Sequence, residues 1–369
     1  MMDLTFPKKF RMWHYRGTDH REGDAVTKAS KRPVLNDVAA AAGVSVATAS
    51  KALNGRQHVN EATRQRVLQA AEKLNFTPNP FAQALNFPVT GTIGVLTADL
   101  SSRFVLPILM GVEEAFGAGS TSVIISDARN DRVREQFILQ TLIAKRVDGI
   151  IVLGADANPR QSISQDVPVP VVYAYTPSDL ETDCSYTPDN AMGARLAIDH
   201  LVARGRRNIA MLNGEPRYDA ALERGNAAIE TLKGHGLELA TGEVLYGDWS
   251  ERWGRQGAQA LLNSGLPVDG IFCGSDQIGR GVVDELRATG VSVPHDIAVV
   301  GYDNWELFST TSQPPLTTID MNLEDMGRAV AEELQDAISG QPRTGLHRLP
   351  VQLIPRESTA SLAKGAGAQ

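Results

Sequence analysis

The chain has 369 residues, of which 42% are hydrophobic and 21% charged, and its formal net charge is −7 at pH 7. This length exceeds one ordinary hydrophobic core and predicts about two or three folded units. The overall acidity argues against general affinity for nucleic acid. The two cysteines, Cys184 and Cys273, form no ligand cluster, so the sequence implies neither a disulfide scaffold nor structural zinc.

The sequence also contains no apolar run approaching the ~18 residues of a membrane span. Its beginning lacks the apolar segment of a secretory signal, so we expect a cytoplasmic protein without membrane contact. Residues 1–32 have mixed charge and no regular period. We interpret them either as a disordered basic arm or as an extension from a translation start assigned too far upstream.

The charge is unevenly distributed along the chain. Residues 31–86 carry a net charge of +4 and residues 1–30 carry +2, whereas residues 87–369 carry −13. A basic segment on an acidic body approaches phosphates while the body is repelled, which orients the protein on DNA. Because the positive excess is modest, we expect firm binding to need two such segments.

Residues 33–78 predict a helical unit of the helix-turn-helix type. A first helix at 35–42 ends at Gly43, which can adopt the left-handed conformation. The hydroxyl of Ser45 can cap a second helix that runs to about Asn54. Two short helices joined by a glycine-containing turn are typical of this motif.

A third helix at 61–74 completes the predicted unit. Asn60 can cap its first turn, and the Thr77-Pro78 step ends it. Apolar side chains at helical spacing predict a small core made of Val38, Ala42, Val44, Ala49, Leu53, Val67, Leu68 and Leu74. The alternative interpretation is a small helical cap on an enzyme.

Beyond this unit, apolar runs alternate with helical stretches. The runs that predict strands are 92–96, 123–126, 149–153, 169–173, 209–212, 270–273 and 298–301. The helical stretches include 134–145, 191–203 and 254–263. This alternation predicts parallel sheets covered by helices, an α/β body. The sequence has no glycine-rich phosphate loop, metal cluster or paired base and nucleophile, so we expect no enzyme, cofactor or metal.

Ordered motifs run from about Pro33 to Ala360. The first part contains DVAAAAGVSVATASKALNG, VNEATRQRVLQAAEKLNFTPNP and FAQAL. The body contains IGVL at 93–96, PDNAMGARLAIDHL at 188–201, GDWS at 247–250, GYDN at 301–304, PPLTTID at 314–320 and PRESTA at 355–360. In this order and spacing, the motifs resemble the LacI/GalR family of bacterial repressors.

The resemblance implies a small all-α helix-turn-helix head and an α/β, two-lobed effector domain like the periplasmic binding proteins. The implied parts are the head at 33–78, a hinge helix and linker at 79–90, the effector domain at 91–360 and a tail at 361–369. One lobe would hold 91–190 and 322–349, and the other 191–321 and 350–360. The chain would cross between the lobes near Asn190, Met321 and Pro350.

The second helix of such a head lies in the major groove of DNA. Val46, Ala47 and Lys51 then face the base edges, where Lys51 can donate to guanine and the two apolar side chains can contact thymine methyls. A solvated surface charge is the alternative for Lys51. The residues that match phosphate-contacting positions of the family are Ser45, Thr48, Ser50, Asn54, His58, Asn60, Thr63 and Arg64. A solvated loop histidine is the alternative for His58.

In the hinge, Leu85 matches the leucine that the family inserts into the minor groove, kinking the duplex. The alternative is an apolar anchor that packs on the effector domain. An isolated helix of this length is marginal, so we expect it to form only with DNA and a partner hinge. Paired heads imply a homodimer on a pseudo-palindromic operator in double-stranded DNA.

The family's effector-contact positions hold Arg224, Trp249, Ser275 and Asp303, with Phe104, Asp189 and Asp276 as second-rank candidates. A carboxylate, an arginine and an aromatic ring suit a sugar, which has hydroxyls around an apolar ring. Simpler roles remain open: Asp276 can cap a helix beginning at Gln277, Phe104 can belong to the core, and Asp303 can be a turn residue.

The sequence therefore predicts a cytoplasmic, nucleoid-associated transcriptional repressor whose operator affinity depends on a small carbohydrate-type effector. A solute-binding or sensor protein and a sugar-metabolising enzyme are the alternatives. The head disfavours the first, and the missing catalytic set disfavours the second.

Overall fold

A computed structural model of the chain describes residues 33–53, 59–76, 89–117 and 121–360, which fall into two units. We call these the head (33–53 and 59–76) and the body (89–117 and 121–360). The predictions for Asn54, His58 and Leu85, for the arm at 1–32, for most of the hinge and for the tail lie outside the described residues. Within the described ranges, no helix combines the length and apolarity that a bilayer crossing requires.

The head contains the helices α1 (Leu35–Ala42), α2 (Val46–Leu53) and α3 (Glu61–Lys73). Helix α1 ends at Gly43, whose φ of 65° is left-handed, as predicted. The Thr48 N–H donates to the Ser45 hydroxyl at 3.1 Å. The Thr63 N–H donates to the side-chain oxygen of Asn60 at 2.8 Å. Both predicted caps are confirmed.

Small side chains fill the core of the head. Its buried members are Val38, Ala39, Ala42, Ala49, Ala52, Val67, Ala70 and Ala71, with Val44, Leu53 and Leu74 packed against them. The prediction for Leu68 is wrong, since 42% of this residue is exposed. The buried face of α3 consists of Val67, Ala70 and Ala71, which are three and four residues apart and therefore lie on one side of the helix. Leu68 lies outside this face.

The body alternates strands and helices along the chain. Its strands are β1 (Thr92–Thr97), β2 (Ser122–Asp127), β3 (Gly149–Leu153), β4 (Val171–Ala174), β5 (Cys184–Pro188), β6 (Ile209–Asn213), β7 (Leu245–Tyr246), β8 (Gly270–Cys273), β9 (Ala298–Val300), β10 (Thr318–Asp320), β11 (Gly345–Leu349) and β12 (Gln352–Ile354). Its helices are α4 (Val105–Phe116), α5 (Arg132–Ala144), α6 (Asn190–Ala203), α7 (Asp219–Gly234), α8 (Glu251–Asn263), α9 (Asp276–Ala288), α10 (Glu306–Ser309) and α11 (Leu323–Ile338), followed by a 3₁₀ turn, Glu357–Thr359.

In the described part of the body, the strands form two parallel sheets and one antiparallel pair. The first sheet has the order β11-β5-β4-β3-β1-β2 and the second β7-β6-β8-β9, while β10 pairs with β12. We call the first sheet with α4, α5 and α11 lobe one, and the second sheet with α6 to α10 lobe two. The head and this α/β body confirm the predicted fold class.

Glycines let helices approach closely within each lobe. A Cβ atom on Gly111 of α4 would lie 1.9 Å from the Glu324 carbonyl oxygen of α11. A Cβ atom on Gly254 of α8 would lie 2.1 Å from the Ile278 carbonyl oxygen of α9. These contacts fix α4 and α11 on lobe one and α8 and α9 on lobe two.

The chain passes between the lobes beside the predicted crossings. β5 of lobe one is followed by α6 of lobe two, and β11 of lobe one is followed by β12. Asp189 is tied to β11 by its N–H, which donates to the Leu349 carbonyl at 2.9 Å. Segments that follow the carboxyl ends of strands supply the candidate effector residues, as expected for open α/β sheets, except Arg224, which lies in α7. The division of the body into separate domains stays a prediction.

Candidate functional site

Helix α2 presents a polar and small-residue face to solvent. The predicted base-contacting residues Val46, Ala47 and Lys51 are all exposed, and 43% of Val46 is accessible. The opposite face buries Ala49 and Ala52 in the core of the head. Val46, Ala47 and Lys51 are therefore accessible to another molecule along one side of the helix.

Among the predicted phosphate-contacting residues, two have a structural role as well. The Ser45 hydroxyl and the Asn60 side-chain oxygen cap α2 and α3. Capping fixes the orientation of both side chains at the first turn of a helix, where backbone N–H groups favour anions. Thr48, Ser50, Thr63 and Arg64 are half-buried around these turns.

In the body, Asp303 lies in a constrained turn after β9. Its φ is 105° and that of Asn304 is 51°, both in the left-handed region. Its N–H donates to the Ile319 carbonyl at 2.8 Å. Residues held in such conformations cost ~1–3 kcal/mol and concentrate at functional sites. Burial raises the pKa of Asp303, and the charges of Arg103 and Arg224 oppose that rise.

The Asp276 side chain stabilises this turn through two hydrogen bonds. One carboxylate oxygen accepts from the Trp305 N–H at 2.7 Å and the other from the Thr318 hydroxyl at 2.6 Å. Ser275, not Asp276, caps α9, because its hydroxyl accepts from the Ile278 N–H at 3.3 Å and the helix begins at Asp276. The capping alternative for Asp276 is therefore wrong, and its side chain positions Asp303 through the turn.

Arg224 of α7 is buried, and its guanidinium makes two hydrogen bonds and one contact with an aromatic ring. Its Nε donates to the Asn190 side-chain oxygen at 2.9 Å, and its Nη1 donates to the Gly274 carbonyl at 2.6 Å. Its guanidinium carbon lies 3.6 Å from the centroid of the Tyr302 ring. Nη1 is also 3.9 Å from Oδ1 of Asp303. This arginine is therefore rigid and faces the candidate carboxylate.

Aromatic rings from both lobes surround the pair. The Trp249 indole covers Gly214, where a Cβ atom would lie 2.1 Å from the ring, and its centroid is 6.0 Å from the Arg224 guanidinium. From lobe one, Phe104 stacks on Tyr175 with centroids 4.4 Å apart. Phe104 thus packs against the core and also faces the site, so both interpretations given above apply to it.

The pKa of the Tyr175 phenol responds to the nearby charges of Asp303, Arg224 and Arg103. Burial raises its pKa, as does the Asp303 carboxylate, whereas Arg224 and Arg103 lower it. Tyr302, which Arg224 covers, has its pKa raised to about 12, again chiefly by burial. Both phenols are therefore protonated at neutral pH and can act as hydrogen-bond donors.

The two remaining candidates act at helix ends. Asp189 caps α6, since its carboxylate accepts from the Met192 N–H at 2.7 Å. The Ser275 hydroxyl caps α9, and the residue is fully buried. Arg224, Trp249 and Asp303 come together, whereas Asp189 and Ser275 are committed to backbone groups. Across the described ranges, no group of three acidic, histidine or cysteine side chains is placed to hold a metal.

Sequence reasoning missed four residues of this site. Asn190 and Tyr302 stand beside predicted residues in the motifs PDNA and GYDN, so the motifs themselves were the available signal. Tyr175 has a φ of 68°, which no sequence pattern announces for a tyrosine. Arg103 lies in lobe one and donates to Asp303 of lobe two, a contact across 200 residues.

We expect Asp276→Asn to stabilise the body increasingly as the pH rises. Burial, followed by the nearby Asp303 carboxylate, raises the pKa of Asp276 well above its ordinary value of about 3.9. A raised pKa means that the associated stability is complete below pH ~4 and is lost as the pH rises through the folded value. An asparagine keeps partners for Trp305 and Thr318 and escapes that loss.

Denaturant unfolding between pH 4 and pH 8 measures this difference. Asp248→Asn is the control, because bonds from Ser250 and Arg252 lower the pKa of that exposed aspartate. Its substitution should act with the opposite sign, costing stability above pH ~4. A constant difference between Asp276→Asn and the unsubstituted protein at every pH would contradict the prediction.

Comparison with known proteins matches both units. The family described as "Bacterial regulatory proteins, lacI family" matches residues 34–79, and the family described as "Periplasmic binding protein-like domain" matches residues 198–359. The HTH-type transcriptional regulator CelR of Thermobifida fusca is 32% identical over 337 residues, covering 89% of this chain and 98% of that protein. The ribose operon repressor of Escherichia coli K12 is 33% identical over 325 residues, covering 87% and 97%.

The chain belongs to the LacI family. Among solved structures, the lac repressor dimer bound to operator and the anti-inducer ONPF superimposes with a TM-score of 0.75 at 30% identity, covering 89% of this chain and 99% of that chain. A complex of the transcriptional regulator CelR with cellobiose gives a TM-score of 0.61 at 30% identity, covering 89% and 100%.

Membership of the family confirms the predicted class of function. LacI-type proteins are non-enzymatic, DNA-binding regulators of transcription with an effector-binding domain. This LacI-family regulator is therefore a cytoplasmic transcription factor and not an enzyme. The helix-turn-helix of the head is its DNA-binding part, and the α/β body is its effector-binding part.

Proposed function

We propose that this regulator represses transcription as a homodimer on a pseudo-palindromic operator, and that a small carbohydrate-type effector bound between the lobes controls its affinity for that operator. The observation that carries the proposal is the enclosed pair of Arg224 and Asp303 beside the rings of Trp249, Phe104 and Tyr175. The cellobiose complex of CelR and the name of the ribose operon repressor support the same class of effector.

The chemistry of the enclosed pair fits a sugar. In the described part of the chain, no hydrogen bond reaches Oδ1 of Asp303, which is a buried acceptor. A buried acceptor without a partner costs ~1–3 kcal/mol, so a donor that fills it contributes affinity. Sugar hydroxyls are such donors, and the apolar face of a sugar ring packs on an indole such as Trp249. Phe104 is a contact from lobe one, while Ser275, Asp189 and Asp276 support the site through the helix ends and the turn.

The DNA contacts follow the exposed face of α2. Lys51 would donate to a guanine edge, and Val46 and Ala47 would contact thymine methyls. Ser45, Thr48, Ser50, Asn54, His58, Asn60, Thr63 and Arg64 would contact phosphates and set the register. Operator binding would also make the protein nucleoid-associated.

A homodimer would bury an exposed apolar surface on lobe one. Leu106 and Met110 lie four residues apart on α4, hence on one face, and expose 65% and 53% of their surface. Contact with a second copy would remove these side chains from water. The dimeric lac repressor supports this assembly.

We expect Leu85→Ala to weaken operator binding and to reduce the bend of the DNA. In the proposed hinge, 79–90, this leucine would unstack a base step at the operator centre. Unstacking costs a few kcal/mol, which is offset only by contacts that the bend permits. Circular-permutation gel shifts measure the bend angle, with Val89→Ala as the control outside the wedge. An unchanged bend would favour the alternative of an anchor that packs on the effector domain.

A thermal-shift screen of the purified full-length protein tests the effector proposal. The panel contains ribose, glucose, galactose, cellobiose and lactose, with amino acids and nucleosides as other classes. We expect at least one sugar to raise the melting temperature and to change operator affinity in a gel shift. A response only to a non-sugar class would overturn the carbohydrate assignment.

A further inference from the structure

Arg103 is a side chain of lobe one that donates hydrogen bonds to lobe two. It lies just before α4, and its Nη2 donates to Oδ2 of Asp303. Its Nη1 donates to the side-chain oxygen of Gln277 at 3.2 Å. Both partners belong to lobe two, so one guanidinium bridges the lobes at the candidate effector site.

Two rings hold this guanidinium in a fixed plane. Its carbon lies 4.4 Å from the centroid of Phe104 and 4.7 Å from the centroid of Trp305, one ring from each lobe. Such cation–π contacts stabilise an arginine and fix its orientation. Arg103 is therefore pre-organised and does not behave as a loose surface charge.

The bridge contains one buried donor and one buried acceptor that make no hydrogen bond in the described part of the chain. Within the described ranges, neither Nε of Arg103 nor Oδ1 of Asp303 has a hydrogen-bond partner, although both atoms are buried. The aspartate side chain is 3% exposed and the arginine side chain 21%. Nε belongs to the same planar guanidinium whose Nη2 donates to Asp303. The donor Nε and the acceptor Oδ1 are therefore held at a fixed position relative to each other.

The bridge is also accessible from solvent. Arg103 and Asp303 line a groove of about 960 Å³, together with Phe104 and Trp305. The groove runs between the start of α4 and the turn that follows β9. A small polar molecule in this groove would therefore lie beside the Arg103–Asp303 pair.

We propose that Arg103 is an effector-contacting, specificity-determining residue, which together with Asp303 recognises a neighbouring hydrogen-bond acceptor and donor on a neutral polyol. Nε donates to one ligand oxygen, and Oδ1 of Asp303 accepts from an adjacent hydroxyl. A vicinal diol supplies this pair of groups at one spacing. This inference rests on the proposed carbohydrate function. It adds that the contact which selects the sugar also joins the two lobes.

Isothermal titration of the full-length protein tests the inference. The probes are the sugar that the thermal-shift panel identifies and its monodeoxy derivatives. The variants are Arg103→Gln and Arg103→Lys, with Arg129→Gln as the control, because Arg129 pairs with Asp127 and is 72% exposed. Circular dichroism melting establishes that each variant is folded.

We expect Arg103→Gln to weaken binding of the parent sugar about tenfold or more, the loss of one hydrogen bond to a charged group. The unsubstituted protein should bind one of the deoxy sugars at least ~10-fold more weakly than the parent sugar. Arg103→Gln should bind that deoxy sugar and the parent sugar with equal affinity. Arg103→Lys keeps the charge without the fork and should lose the same discrimination. Arg129→Gln should bind as the unsubstituted protein does.

Each other outcome overturns the inference. Unchanged affinity and discrimination in Arg103→Gln would make Arg103 a structural bridge only. Tighter binding in Arg103→Gln would mean that the arginine competes with the sugar for Asp303. If the unsubstituted protein binds none of the sugars, the proposed carbohydrate function fails and the inference falls with it.

Discussion

Arg224→Ala should abolish the response to the effector while the head still binds operator DNA. The substitution removes the guanidinium that faces Oδ1 of Asp303 and is held by Asn190 and the Gly274 carbonyl. We expect effector affinity to fall ~100-fold or more, because a site built for polar partners loses a buried charged donor. Titration calorimetry and gel shifts with and without the sugar measure both effects.

The same substitution should destabilise the body. Removing one partner of a buried charge pair costs ~3–5 kcal/mol, and the remaining pair of Asp303 with Arg103 should keep the loss at the lower end of that range. Arg217→Ala is the matched control, since this arginine lies just before α7, pairs with Glu215 and is 68% exposed. A normal sugar response in Arg224→Ala would show that the effector site lies elsewhere in the body.

Lys51→Ala should lower operator selectivity more than it lowers general affinity for DNA. A lysine at a guanine edge contributes ~1–3 kcal/mol of discrimination, which corresponds to about 5- to 150-fold. We expect the ratio of operator to random-duplex affinity to fall by that factor, measured by fluorescence anisotropy at fixed salt.

Lys73→Ala serves as the control for charge. Lys73 is exposed at the end of α3, a different helix from the one proposed to contact bases. Its removal should leave the selectivity ratio unchanged, whatever it does to binding in general. If Lys51→Ala and Lys73→Ala weaken operator and random duplex equally, Lys51 is a solvated surface charge and base recognition comes from other residues.

Local signals predicted the head well because its structure depends on neighbours in sequence. Ser45, Asn60 and Gly43 act on groups within four residues of themselves, and all three do what capping rules predict. Leu68 shows the limit of the method. A shift of one position along a helix turns a side chain by about 100°, so an apolar residue beside the stripe is easily assigned to it.

The sheets were predictable where strands are continuous apolar runs. The runs at 149–153 and 270–273 match β3 and β8 in both bounds. In contrast, β5 contains Ser185 and Thr187, and β11 contains His347 and Arg348, so neither presents such a run. These two strands pair with each other in parallel across more than 150 residues. The hydrophobic periodicity of a local segment carries no information on such distant pairing.

The candidate site divides in the same way. Arg224, Trp249 and Asp303 were reached through motifs, and the fold brings them together. Arg103 stands in no motif, and its role depends on how lobe one faces lobe two. Asp276 was ambiguous because capping a helix and supporting a turn both favour an aspartate after a strand. Only the partners Thr318 and Trp305 distinguish the two roles.

The most direct test compares the full-length dimer on a promoter fragment from its own genomic neighbourhood and on random duplex of equal length, at moderate salt, with and without the sugar. We predict that the protein prefers one promoter fragment over random duplex by at least ~10³-fold, and that the sugar changes this preference. The variant Arg224→Ala should show the same preference, and the sugar should no longer change it. Equal affinity for every duplex under all these conditions would contradict the account.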